Sequence, residues 1–141
     1  MVSFMSANSK MASAVHIMSY LAYKGDATCT SDAIAHSLAT NPVVVRKLLK
    51  MLENEGLVSL RQGRSGGVTL ARLPAEIRLD QIYSAIRGEG SVFGFRETIN
   101  PRCMIAQNMP NALGPIFSAA DKAVMEALQT RTLEQVMREL V

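Results

Sequence analysis

The side chains in this chain of 141 residues that are best suited to chemistry are basic, and they lie close together. Between residues 46 and 72 the only acids are Glu53 and Glu55. The basic residues of this stretch are Arg46, Lys47, Lys50, Arg61, Arg64 and Arg72. Ammonium and guanidinium groups neutralise phosphates, and an arginine can also donate two hydrogen bonds to a guanine edge. The cluster therefore predicts a nucleic acid partner.

The rest of the charge distribution supports the same interpretation. The net charge is only +3, but residues 1–72 hold eight basic and four acidic residues, whereas residues 73–141 hold seven and eight. The first half therefore carries a charge of +4 and the second half −1. This asymmetry places the expected nucleic acid surface in the first half of the chain.

The elements that must position these residues begin with two helices joined by a short turn. Ser31 is the expected N-cap of a short helix ending at Leu38, and Ala39-Thr40 is the expected turn. Asn41 followed by Pro42 predicts the start of a second helix, which Gly56 is placed to end. The predicted core face of this helix consists of Val45, Leu48, Leu49 and Leu52. Its remaining side chains are expected to point mostly outward.

A hairpin is predicted directly after the second helix. Two short extended runs, 57–61 and 68–72, flank a loop whose glycines tolerate positive φ. The whole pattern is that of a winged helix-turn-helix, so the fold class is expected to be mainly α with a small β hairpin. Such a fold inserts the second helix into the major groove. The expected DNA-binding residues are Ser31, Asn41, Pro42, Val43, Val44, Arg46, Lys47, Lys50, Arg61, Arg64, Ser65 and Gly66.

Within this set, residue type suggests different roles. Arg46 is the candidate base reader, Lys47 and Lys50 suit phosphates, and Val43 or Val44 could contact a thymine methyl group. Arg64 at the wing tip is placed to enter a minor groove or to contact phosphate. Two alternatives remain open: the charges could simply solvate a surface hairpin, or the winged helix could serve as a protein-interaction module.

The second half of the chain predicts a sensing and dimerisation region. A short helix is expected to end near Gly88, followed by a long loop to Pro110 and then by a long apolar helix. One apolar row of that helix is expected to bind a second copy of the chain. This row consists of Met109, Leu113, Ile116, Ala120, Ala123 and Ala127. A monomer with one wide core face is the alternative. We expect a DNA-binding domain over 1–88, and the loop and dimerisation helices over 89–141.

Residues 41–71, NPVVVRKLLKMLENEGLVSLRQGRSGGVTLA, resemble the recognition helix and wing of the Rrf2 family of bacterial transcriptional regulators. The order of the remaining elements is also similar to that family, which includes the iron-sulfur-assembly regulator and the nitric-oxide-sensing repressor. The resemblance implies a homodimer that binds a near-palindromic operator in double-stranded DNA. It also implies a sensing loop beside the dimerisation helix. The expected function is therefore that of a sequence-specific regulator, most simply a repressor.

The loop differs from that of the cluster-binding members of the family. In those members the loop is expected to hold three closely spaced cysteines. Here the loop holds Cys103 alone, and Cys29 precedes the helix-turn-helix. Iron-sulfur clusters are generally held by four ligands, mostly thiolates, so no cofactor and no metal are expected. The chain is similar to the single-cysteine branch, which implies a thiol switch or a small-ligand pocket around Cys103. Arg102 would favour the reactive thiolate. An unreactive, packed cysteine and a cluster with atypical ligands are the alternatives.

Other classes of function find little support in the sequence. No paired carboxylates, nucleophile elbow or phosphate loop is present, so an enzyme is not expected. His16 and His36 have no partner at metal-ligand spacing. No signal peptide and no long apolar run are found, so we expect a cytoplasmic protein without a membrane partner.

Overall fold

The computed structural model describes residues 9–88 and 90–141, and it confirms a mainly helical chain with a small β hairpin. The helices are α1 (Ser9–Lys24), α2 (Ser31–Leu38), α3 (Pro42–Asn54), α4 (Leu79–Arg87), α5 (Met104–Leu128) and α6 (Leu133–Leu140). The strands are β1 (Val58–Arg61) and β2 (Gly67–Leu70), and a 3-10 turn spans Pro74–Glu76. The order of elements is that of a winged helix-turn-helix followed by a long helix.

The two helices of the helix-turn-helix begin at side-chain caps. Asn41 caps α3 as predicted, because its Oδ1 accepts a hydrogen bond of 2.8 Å from the amide of Val43. The cap of α2 was predicted one residue too late. Thr30, not Ser31, caps this helix, and its Oγ1 accepts a 3.0 Å hydrogen bond from the amide of Ala33. Ser31 is consequently the first helical residue.

The end of α3 leads directly into the hairpin. Gly56 adopts a φ of 71°, which lets the amide of Leu57 donate back to the carbonyl of Leu52 at 3.0 Å. The strands pair antiparallel, with Ser59 opposite Thr69. The four predicted core residues of α3 are all buried. This burial fixes which face of the helix remains available to a partner.

The wing is also bound to the segment that precedes α2. Cys29 and Val68 exchange two backbone hydrogen bonds of 3.1 and 2.7 Å. A Cβ atom on Gly67 would lie 2.8 Å from the carbonyl oxygen of Cys29, so only glycine permits this close approach. The wing is therefore held on both sides, by α3 and by this segment.

One hydrophobic core joins residues from both halves of the chain. Leu133 of α6 is fully buried together with residues of α1, α3 and α4. The amide of Leu133 donates to the carbonyl of Ile77 at 2.7 Å, and Leu79 donates to Arg131 at 3.0 Å. A capping box between Thr132 and Gln135 is present at the start of α6. The last helix is thus packed onto the DNA-binding half rather than apart from it.

The long helix α5 begins earlier than the sequence indicated. The loop was expected to reach Pro110, but α5 starts at Met104 and contains Pro110 and Pro115 within its length. Proline keeps a helical φ, although each ring removes one backbone donor and favours bending. Cys103 caps the helix through a 3.5 Å contact from the amide of Ala106 to its Sγ. No residue of α5 is buried in the single chain.

Candidate nucleic-acid interface

The helix-turn-helix and the wing enclose a groove of about 400 Å³. It brings together the start of α2, the outward side of α3 and the base of the wing. Its lining residues are Thr30, Ser31, Arg46, Leu49, Lys50, Leu60, Arg61, Gly63, Gly66, Gly67 and Val68. Five of the predicted DNA-binding residues are thereby placed around one concave surface: Ser31, Arg46, Lys50, Arg61 and Gly66.

The groove carries positive charge from two elements. Arg46 on α3 and Arg61 at the end of β1 are both exposed, and the described part of the chain has no ion pair to either of them. Lys50 differs, because its Nζ lies 3.0 Å from Oε1 of Glu53. A phosphate contact by Lys50 would therefore compete with this exposed ion pair, which itself contributes little.

Other predicted contact residues lie at the edges of the groove. Asn41 and Pro42 form the start of α3, and Val43 beside them is 49% exposed. Lys47 is exposed on the same helix. Val44 is different, because it packs partly against the hydrophobic core. Of the two valines considered for a thymine methyl contact, Val43 is therefore the one with the freer surface.

The tip of the wing has a backbone shape that depends on glycine. Gly63 adopts a φ of 102°, and the amide of Gly66 donates to its carbonyl at 3.0 Å. A Cβ atom on Gly66 would collide with the backbone of residues 61–63. This tight turn leaves Arg64 and Ser65 exposed at the tip. An exposed arginine on a narrow turn suits a minor groove or a phosphate.

The loop that carries Cys103 is bound to α5 by aromatic packing. The rings of Phe93 and Phe95 have centroids 5.3 and 5.0 Å from that of Phe117. The amide of Val92 donates to Oδ1 of Asp121 at 2.6 Å. Cys103 itself is partly exposed and free of any disulfide. The loop and the start of α5 consequently form one structural unit.

Cys29 and Cys103 have different surroundings. Cys29 is buried in the core, and burial raises the pKa of its thiol, although the positive charge of Lys24 acts in the opposite direction. Within residues 9–88 and 90–141, no group of three His, Cys, Asp or Glu side chains could hold a metal ion. The described donors therefore do not supply the roughly four ligands that hold an iron-sulfur cluster.

The predicted dimerisation row on α5 is largely uncovered. Ile116 is 60% exposed and Met109, Ala123 and Ala127 are also exposed, whereas Leu113 is partly buried. Ala120 is partly buried as well. The neighbouring row of Phe117, Val124 and Leu128 is partly buried, with Phe117 packed against the loop. The helix thus presents one covered and one uncovered apolar row.

Thr30 is one of the groove residues that were absent from the predicted DNA-binding set. Both Thr30 and Ser31 are good caps, and neither is followed three residues later by the glutamate or glutamine of a capping box. The sequence therefore held no signal that separated the two positions. The groove shows that the segment before α2, and not only its first turn, belongs to this surface.

A basic recognition helix beside a glycine-tipped, arginine-bearing hairpin defines the class of winged helix-turn-helix DNA-binding proteins. The particular family is given by comparison with known proteins. Residues 7–139 match the model of the Rrf2 family, which is described as that of an iron-dependent transcriptional regulator. The chain belongs to the Rrf2 family and is a DNA-binding transcriptional regulator, not an enzyme.

Individual relatives agree with this assignment. The Bacillus subtilis (strain 168) protein YwnA, named as an HTH-type transcriptional regulator, is 34% identical over 94% of this chain and 98% of its own. A solved structure described as that of a DNA-binding protein has a TM-score of 0.69 at 30% identity, covering 91% and 98% of the two chains. A transcriptional regulator from Lactobacillus plantarum shares the fold, with a TM-score of 0.75 at 24% identity over 93% and 89%. Among the described residues, no helix has the length and apolarity to cross a membrane.

Proposed function

We propose that the chain forms a homodimeric repressor, which binds a near-palindromic operator and releases it when the region around Cys103 is modified or occupied. The observation that carries the proposal is the basic groove between α3 and the wing, in a chain whose long helix leaves an apolar row uncovered. The groove supports the DNA contact, and the uncovered row supports the second copy.

The proposed DNA contact follows from the geometry of the class. The start of α3 enters the major groove, where Arg46 reads a base edge and Val43 contacts a thymine methyl group. Lys47 and Arg61 contact phosphates, and Arg64 extends the wing toward the minor groove. Ser31 and Asn41 lie at helix starts, whose amides also favour phosphate. The residues at the groove and its edges thus act as one surface.

The proposed dimer uses the uncovered row of α5. The exposed alanines at positions 123 and 127 permit a close approach of two helices, and Met109 and Ile116 supply apolar area in the first half of the row. Two-fold symmetry would then present two recognition helices to half-sites roughly 34 Å apart or a multiple of that spacing. A palindromic operator is the DNA counterpart of such symmetry.

The proposed signal acts at the start of the same helix. Cys103 Sγ is both the cap of α5 and a partly exposed thiol. Peroxide would oxidise this thiol to a sulfenic acid with release of water, which adds an oxygen atom where the sulfur now accepts from Ala106. Because this cap adjoins the proposed dimer helix, the modification would bias the spacing of the two recognition helices.

The DNA contact is tested by substituting Arg46 and Arg64 together with alanine. We expect binding to promoter fragments selected from the host genome to weaken by about a hundredfold or more, because each of the two protomers loses a base contact of about 1–3 kcal/mol and the wing contact of Arg64. Fluorescence anisotropy measures the affinity. Arg131 and Arg138, which pair with acids of α6, supply the matched control when both are changed to alanine. Affinities that fall equally in the two double variants would contradict the proposal.

The signal is tested by replacing Cys103 with serine, which keeps an oxygen acceptor at the cap but removes the thiol. We expect the wild-type protein to lose operator affinity on treatment with peroxide and the C103S variant to keep it. The C29S variant serves as the matched control and should respond as the wild type does, since Cys29 is buried. A peroxide response that is unchanged in C103S would rule out this thiol as the switch.

A further inference from the structure

A second cavity, of about 340 Å³, lies between α1, α4 and α5 and shares no lining residue with the groove between α3 and the wing. It is bounded by the first turn of α1, the end of α4, the loop before α5 and the later part of α5. Its lining residues are Lys10, Met11, Tyr83, Ile86, Arg87, Ser91, Val92, Val124 and Leu128. The volume falls in the range that binds small organic molecules.

One side of this cavity is positively charged. Lys10 and Arg87 both line it, and none of the described residues in its wall is acidic. Lys10 belongs to α1 and Arg87 to α4. Two cationic side chains from different helices therefore line the same space.

Arg87 is held in place but incompletely satisfied. Its guanidinium lies 5.6 Å from the centre of the Tyr83 ring, which fixes the side chain against the wall. Its Nε is buried and has no hydrogen-bond partner among the described residues. Because this Nε has no accessible surface, a ligand would contact the accessible part of the Arg87 side chain, which lines the cavity. The ring of Tyr83 restrains that side chain at the cavity wall.

The remainder of the cavity is apolar. Met11, Ile86, Val124 and Leu128 line it with apolar side chains, and Tyr83 and Ser91 also belong to the lining. The hydroxyl of Ser91 donates to the carbonyl of Phe93. A bare inorganic anion would leave the apolar surface unused. A molecule with one carboxylate and a short apolar body would use both parts of the cavity.

Asp121, a nearby acid on α5, is bonded to the backbone of the loop and does not pair with the cations of the cavity. Its Oδ1 accepts the hydrogen bond from the amide of Val92, and Asp121 does not line the cavity. This bond holds one wall of the cavity to α5. The carboxylate therefore stabilises the shape of the site while the two cations remain available to a ligand.

We infer that this cavity binds a small carboxylate with a short aliphatic or aromatic body, whose carboxylate group contacts Arg87 and Lys10. Binding itself is independent of the proposed function, and only its role as an effector depends on it. The ligand would join the DNA-binding half, through α1 and α4, to the loop and α5. Binding would thereby bias the spacing of the two recognition helices in the dimer, which is also what the proposed signal changes.

The test uses hexanoate, benzoate and phenylacetate with the full chain, and the corresponding neutral amides at equal ionic strength. At a concentration tenfold above Kd, we expect an acid to raise the Tm by about 3–6 °C, and its amide to leave the Tm unchanged. Arg87→Gln and Lys10→Gln should each reduce this shift by at least half. Lys10 is exposed, so its variant should keep the fold. Arg46→Gln, in the DNA-binding groove, should keep the shift.

Two results would overturn the inference. One is that none of the three acids shifts the Tm more than its amide does at 10 mM. The other is that R46Q loses the shift while R87Q and K10Q keep it, since the anions would then bind the DNA surface. Operator binding without any added acid distinguishes the two proposals, because it tests the DNA contact alone. Normal operator binding with no acid response would remove this inference and leave the regulator intact.

Discussion

Single residues decide how the recognition helix is oriented. Asn41, Pro42 and Gly56 bound α3, and each could be recognised from the sequence, because its cap chemistry is local and specific. Thr30 could not be separated from Ser31, because two adjacent hydroxyl residues offer the same chemistry. The exposure of Val43 and the partial burial of Val44 could not be predicted either, since both follow from the tertiary position of α3.

The turn between the two helices contains a residue in an unfavourable conformation. Ala39 has a φ of 55° and is the only non-glycine residue with positive φ in the part of the chain that the structure describes. Its amide donates to the carbonyl of His36, and that of Thr40 donates to Ala35, which closes α2. A Cβ atom in this region costs about 1–2 kcal/mol.

We therefore expect Ala39→Gly to stabilise the protein by about 0.5–1 kcal/mol, because relief of this strain exceeds the added entropy of the unfolded chain. Urea denaturation measures the free energy of unfolding. Ala33→Gly is the matched control within the same helix, and it should destabilise because Ala33 has a helical conformation. A loss of stability in both variants would show that residue 39 is not strained.

The secondary-structure elements could be predicted from the sequence where a helix or strand buries a single hydrophobic face against the core. The face of α3 is an example, and so is the hairpin, whose strands deviate from prediction by one or two residues. The start of α5 was not predictable, because Pro110 suggested a loop although proline can be accommodated within a helix at the surface. The cavity near Arg87 is lined by segments that lie far apart in the sequence, so no local pattern predicted it.

The uncovered row of α5 leads to a prediction about assembly. Ile116→Glu places a charge where the proposed interface would exclude water, so we expect the dimer to dissociate at micromolar concentration. Sedimentation velocity should show a mass near twice 15.3 kDa for the wild type and 15.3 kDa for the variant. Leu73→Glu is the control, since Leu73 is 66% exposed but lies outside α5. Equal masses in wild type and I116E would contradict this interface.

At the scale of the whole molecule, one core connects the helix-turn-helix with α4 and α6. Leu133 of α6 shares this core with α1 and α3, and the loop before α5 is bound to that helix by Phe93, Phe95 and Asp121. Because α5 packs on α4 and α4 packs on α3, a change at the loop or at α5 has a packed route to the recognition helix. The sequence predicted the parts of this arrangement but not their contact, because the shared core depends on long-range packing.

The salt dependence of operator binding is the measurement that bears most closely on the proposal that the basic groove and its edges contact DNA. Three cations per chain, Lys47 and Arg61 at phosphates and Arg64 at the minor groove, would neutralise DNA charge, which gives roughly six per dimer. We therefore predict a slope of log affinity against log salt near −5. Lys47→Ala should reduce the magnitude of that slope by about 2, whereas Arg138→Ala on α6 should leave it unchanged. A wild-type slope close to zero, or one that K47A and R138A change equally, would contradict the account.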